Sequence, residues 1–135
     1  MGKGMLHHLE IWVDDLEASR GSLGWLLVRL GYVVQSDWAD GISYQHDRLY
    51  IVLESGPDVR HRPHDRGAPG LNHLAFSLPS SQDVDEVAAE ALKHGFNLMF
   101  ADKHPHAGGP DHYAAYLEDQ SGFEVELVAS RPAKI

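Results

Sequence analysis

The chain contains no cysteine. Disulfides and thiolate metal sites are therefore excluded, and any bound metal must be held by His, Asp, Glu or water. No apolar run approaches the roughly 20 residues that a membrane-spanning helix needs. Met1-Gly2-Lys3-Gly4 leads towards a strand carrying His and Glu rather than into the apolar stretch of a signal peptide, so a cytoplasmic protein is expected. Basic residues are scarce, with 11 Lys and Arg against 20 Asp and Glu and a formal net charge of −9. Nucleic acid and membrane surfaces, whose partners present clustered Lys and Arg, are not expected to be bound. The one basic cluster, Arg60, Arg62 and Arg66 with His61 and His64, is interrupted by Asp65 and reads as a solvated linker.

What the chain does have is an internal repeat. Leu6-His7-His8-Leu9-Glu10-Ile11 returns 65 residues later as Leu71-Asn72-His73-Leu74-Ala75-Phe76. Each copy precedes a helical pattern that closes on a glycine before an aromatic, at Gly31-Tyr32 and Gly95-Phe96. Self-similarity of this kind fixes architecture and suggests matching roles for matching positions, here His8 and His73.

In the first copy, Leu9, Ile11 and Val13 alternate with His8, Glu10 and Trp12, the period of a half-buried strand. Asp14 or Asp15 can cap a helix running through Leu16, Leu23, Leu26, Leu27 and Leu30, which Gly31 ends. Strands are predicted over residues 32–38, 42–46 and 49–53, punctuated by Asp40-Gly41 and Asp47-Arg48. In the second copy, Leu74, Phe76 and Leu78 oppose His73, Ala75 and Ser77. Ser80 or Ser81 caps a helix with the stripe Val84, Val87, Ala88, Ala91 and Leu92. Strands are predicted over 96–100, 113–117 and 123–128, with a polar, Gly- and Pro-broken flap over 101–111. The expected organisation is one domain over residues 1–135, with module one at 5–56, a linker at 57–69 and module two at 70–130. Its class is α+β, built from two tandem β-α-β-β-β modules with curved mixed sheets.

Where helices cover one face of a sheet, the other face is free to line a site. That free face carries His8 and His73 in the first strands and Glu124 and Glu126 in the last. Two imidazoles and a carboxylate form a facial metal site with coordination positions left for substrate. His104, His106 and His112 lie on or beside the flap, while Trp12, Trp38, Tyr44 and Tyr50 could form an aromatic wall or simply pack.

His8-x-x-Ile11-x-Val13-x-Asp15, His73-Leu74-Ala75-Phe76 and Asp119-Gln120-Ser121-Gly122-Phe123-Glu124-Val125-Glu126-Leu127 together resemble the vicinal oxygen chelate superfamily. That superfamily spans glyoxalases, bleomycin-resistance proteins, fosfomycin-resistance enzymes and extradiol dioxygenases. The resemblance implies a glyoxalase-like open barrel, a homodimer and a divalent ion (Fe, Zn, Ni or Mn) on His8, His73 and Glu126. Glu124 is left as a supporting or solvent-facing neighbour. Gln120 and Ser121 stand where the family's closing motif has Pro and Asp. A further carboxylate used by glyoxalase I maps to Val52, with Glu54 two residues away, which argues against glyoxalase I itself. Tyr116, ten residues before Glu126, resembles the active-site tyrosine of extradiol dioxygenases, and His112 shares its face by parity. The implied activity is that of a metal-dependent lyase, isomerase or dioxygenase acting on a small oxygenated substrate. The alternative is a bleomycin-resistance-type protein that sequesters a small molecule without chemistry, which the acidic charge suits if the ligand is cationic.

Overall fold

The alternating apolar residues of the first repeat form strand β1 (His8–Trp12), placing Ile11 and Val13 in the core and His8, Glu10 and Trp12 outside it. The computed structural model describes residues 3–130 and resolves the chain into two compact units, Met1–Pro63 and His64–Ile135. In the first unit, β1 lies parallel to β4 (Leu49–Glu54). Antiparallel pairing then joins β3 (Gly41–His46) and β2 (Val33–Trp38), in the order β1-β4-β3-β2. Asp15 caps the helical segment by accepting from the Ala18 N–H at 3.2 Å, and Gly31 (φ 101°) follows it in the left-handed conformation.

The single helix expected over this stretch is interrupted. Helix α1 (Leu16–Ser19) passes through a π turn at Arg20–Gly24 into α2 (Trp25–Arg29). The hydroxyl of buried Tyr44 occupies the space that a Cβ at residue 24 would need, so glycine permits the approach. Leu23, Leu26 and Leu27 are buried with Ile42, Ile51 and Leu53. Removing side chains of this size from water stabilises the fold by about 1.5–3 kcal/mol each.

The second unit repeats the plan. Strand β5 (His73–Leu78) runs parallel to β8 (Glu124–Ala129), followed antiparallel by β7 (Ala114–Asp119) and β6 (Phe96–Leu98), in the order β5-β8-β7-β6. Ser80 caps helix α3 (Ser81–Ala91) by accepting from the Asp83 N–H at 3.1 Å. Val84, Val87 and Ala91 are buried, but Leu92 is 53% exposed because the helix ends at Ala91. β6 stops two residues earlier than predicted, and Phe100 at φ 53° has left the extended conformation. The segment predicted as a flap contains no strand. It folds through local turns, including His104 N–H to Phe100 C=O at 2.9 Å and His106 N–H to Lys103 C=O at 2.8 Å.

The α+β arrangement of two tandem β-α-β-β-β modules expected from the duplication is present. The two registers agree position by position. Val52 pairs with Glu10, two residues after His8, just as Glu126 pairs with Ala75, two residues after His73. Val52 thus stands in the first sheet where Glu126 stands in the second. Among the described residues, no helix is long and apolar enough to cross a membrane.

Candidate metal centre

Glu126 lies on the free face of β8, its register partners being Ala75 on β5 and Tyr116 on β7. The residue is 5% exposed, so its carboxylate requires nearby donors or cations. His73 Nε2 lies 3.1 Å from Glu126 Oε1, and His112 Nε2 makes a short contact with Oε2. The Tyr116 phenol holds its proton above the ordinary value, first because it is desolvated and then because Glu126 and Glu124 are negative. Imidazole nitrogens, a phenol and a carboxylate therefore converge within the second module.

The donor chemistry suits a cation. An imidazole nitrogen and a carboxylate oxygen at 3.1 Å oppose lone pairs unless a positive centre lies between them. A proton serves, and so would a divalent ion, for which imidazole and carboxylate are ordinary ligands. Among the described residues, no group of three or more His, Asp and Glu is arranged as a metal-holding cluster. Of the residues expected to hold a metal, His73 and Glu126 are brought together in the second unit.

His8 belongs to the first unit. Its ring stacks on Tyr50, with centroids 4.9 Å apart and planes 4° apart, and its Nδ1 lies 2.9 Å from that of His7. It lines a cleft of about 370 Å³ with Glu10, Trp38, Tyr50, Val52 and Glu54. Trp38 and Tyr50 thus form part of a wall, whereas Tyr44 faces the core and is 3% exposed. Of the flap histidines, only His112 reaches Glu126. His106 sits beside the His112 carbonyl at 3.3 Å, and His104 lines a separate groove of about 430 Å³ with Ala88, Leu92, Leu98 and Tyr113.

Of the two readings of Glu124, as a supporting or a solvent-facing neighbour, the solvent-facing one is corrected, because the residue is 2% exposed. Its counter-ion is Arg66, a residue of the basic stretch read as a solvated linker, with Nη1 3.3 Å from Oε1. That oxygen has no aligned hydrogen bond, so the attraction is chiefly coulombic. The Arg66 guanidinium also lies over the Phe100 ring, 5.8 Å from its centroid. Asn72 accepts at Oδ1 from His73 Nδ1 at 2.7 Å. Gly108 brings the loop backbone against His112 and Tyr116, where a Cβ would lie 2.6 Å from His112 Cδ2 and from the tyrosine hydroxyl. Sequence gave one signal for these: Asn72 adjoins a repeated histidine. Arg66 and Gly108 are fixed by tertiary contacts that no local pattern encodes.

Residues 7–116 match the family model described as the Glyoxalase/Bleomycin resistance protein/Dioxygenase superfamily. The chain belongs to this superfamily. The chain is similar to the uncharacterized protein YqjT of Bacillus subtilis, at 42% identity over 125 residues, spanning 92% of this chain and 98% of YqjT. The crystal structure of a candidate glyoxalase from Bacillus halodurans is similar at 43% identity and a TM-score of 0.89, covering 95% of this chain and 97% of that one. A catechol-2,3-dioxygenase of Bacillus subtilis is 32% identical over 85 residues, 63% of this chain but 27% of the dioxygenase. The superfamily match ends at residue 116, so Glu126 rests on the register and contacts described above.

Proposed function

We propose that this superfamily member is a divalent-metal-dependent enzyme acting on a small oxygenated compound, with His8, His73 and Glu126 as the metal ligands. The observation that carries the proposal is the pairing of His73 Nε2 with the buried Glu126 carboxylate, on the free face of the sheet and beside a proton-bearing phenol. The similar catechol dioxygenase and candidate glyoxalase support an oxygenated substrate. When bound, a divalent ion supplies Lewis acidity to vicinal substrate oxygens and stabilises the oxyanion that develops.

The protein's own groups supply the rest. Tyr116, kept protonated by desolvation and by the neighbouring carboxylates, can donate a hydrogen bond or a proton to a substrate oxygen. His112 can accept or return a proton at Nε2, the atom that meets Glu126. The loop backbone at Gly108 packs against both side chains. The homodimer implied by the superfamily and the cytoplasmic location expected from the sequence belong to the same proposal. Exposed Trp12, Val33, Val34 and Trp38 in the first unit support a partner surface.

Plasma mass spectrometry on tag-free protein tests the metal centre. Near-stoichiometric metal in the native protein, lost in both His73→Ala and Glu126→Gln, is the expected result. Iron would direct substrate screening towards oxygenation, and zinc, nickel or manganese towards isomerisation or addition. A native protein that takes up no metal even after reconstitution would overturn the proposal and leave sequestration of a small molecule as the function.

A further inference from the structure

We propose that Asn72 is a positioning residue that fixes the tautomer of His73 and so presents Nε2 as the metal-binding nitrogen. The inference rests on the metal-centre reading above, but its geometry stands apart from it. Asn72 Nδ2 lies 2.9 Å from the Arg66 carbonyl oxygen, which can only accept, so this end of the amide is the NH₂. The other end, Oδ1, lies 2.7 Å from His73 Nδ1 and can only accept in turn. Nδ1 therefore carries the hydrogen. The amide orientation is assigned from this network, because the opposite orientation would set the amide oxygen against the Arg66 carbonyl oxygen. A neutral imidazole protonated at Nδ1 has its lone pair at Nε2, the nitrogen 3.1 Å from Glu126 Oε1.

The lock extends into the protein. Arg66, whose carbonyl orients Asn72, is held by the buried Glu124 carboxylate and by Phe100. Glu124, Arg66, Asn72 and His73 form a relay of contacts from the interior of the sheet to the candidate ligand. The first module has no counterpart. The residue before His8 is His7, and the contact between their Nδ1 atoms at 2.9 Å can be donated from either ring. His73 is thus fixed by its neighbour, while His8 is left to be fixed by whatever it binds. Outer partners of this kind typically change metal affinity 10–100-fold when removed. Asn72 is exposed, so water can replace part of its hydrogen bond and the lower end of that range, about tenfold, is expected.

The test uses ¹⁵N-labelled full-length protein, metal-free and at alkaline pH where imidazoles are neutral. Long-range ¹H–¹⁵N spectra of the rings, recorded in a Glu126→Leu background so that no carboxylate competes for a hydrogen at Nε2 and with His73 assigned through His73→Gln, should show the Nδ1–H form with Asn72 in place and in Asn72→Asp, whose carboxylate still accepts. Asn72→Ala should move His73 towards Nε2–H. Zinc titration calorimetry should show about tenfold weaker binding in Asn72→Ala, largely restored in Asn72→Asp. An unchanged His73 tautomer in Asn72→Ala overturns the inference, even where zinc binding is intact and the metal-centre reading stands. If the native protein takes up none of iron, zinc, nickel or manganese, that reading fails separately, and the tautomer comparison still decides the role of Asn72.

Discussion

At the scale of single residues, the decisive feature is how two buried glutamates on one strand are neutralised by different means. Glu126 is met by imidazoles and a phenol, groups that can exchange protons, whereas Glu124 is met by the permanently charged guanidinium of Arg66. The first arrangement suits chemistry and the second suits structure. Arg66→Ala leaves Glu124 buried without a counter-charge. Breaking a fully buried pair costs about 3–5 kcal/mol, and because the guanidinium is 39% exposed a loss of about 2 kcal/mol is expected. Urea denaturation of Arg66→Ala beside Arg66→Ala/Glu124→Gln checks this. The double variant should recover most of the loss, and equal stability of the native protein and Arg66→Ala would show that the pair contributes nothing.

At the scale of elements, the loop between β6 and β7 packs against the side chains of the candidate site. Its backbone can approach His112 and Tyr116 because residue 108 has no side chain. Gly108→Ala should force both side chains aside or lift the loop, costing about 1–2 kcal/mol by overpacking. It should also shift the His112 ring resonances while leaving those of His104, in the separate groove, in place. Unchanged stability with an unmoved His112 would mean that the loop does not press on the site. The strands were legible from period-two alternation and the caps at Asp15 and Ser80 from their side-chain chemistry. The π turn was not, because no local pattern marks it and the approach of Tyr44 to Gly24, from a strand twenty residues away in sequence, is a tertiary contact. The candidate site was legible in part for the same reason. Repeat symmetry singles out His73 and resemblance singles out Glu126, but Arg66 and Gly108 become visible only when the chain has folded. Burial of Glu124 was missed because alternation tells the two faces of a strand apart without telling how deeply the free face is covered.

At the scale of the whole molecule, duplication has preserved the register and allowed the chemistry to diverge. Tyr50 and Val52 in the first module stand where Glu124 and Glu126 stand in the second. Both modules nevertheless share one electrostatic property, the retention of phenolic protons. Tyr32 and Tyr44 in the first are held above the ordinary 10.0 chiefly by burial. In the second, Tyr113 is held there first by donating to Asp85, at 2.6 Å, and Tyr116 first by desolvation. The sign of the linkage follows. Below pH 10 the phenols are protonated in folded and unfolded chains alike, so they give stability no pH dependence there. Above it the unfolded chain releases these protons first, so it binds fewer protons than the folded state and stability falls as pH rises. The fall should continue until the folded-state phenols also ionise. Absorbance at 295 nm should therefore show native tyrosines ionising at higher pH than the same chain in urea, and the urea midpoint should drop above about pH 10. Tyr116→Phe should remove part of the delayed ionisation without touching the share from Tyr32 and Tyr44. Coincident titration of the native and urea-unfolded chains would show that neither module shields its phenols, and would withdraw Tyr116 as a proton donor held in reserve beside Glu126.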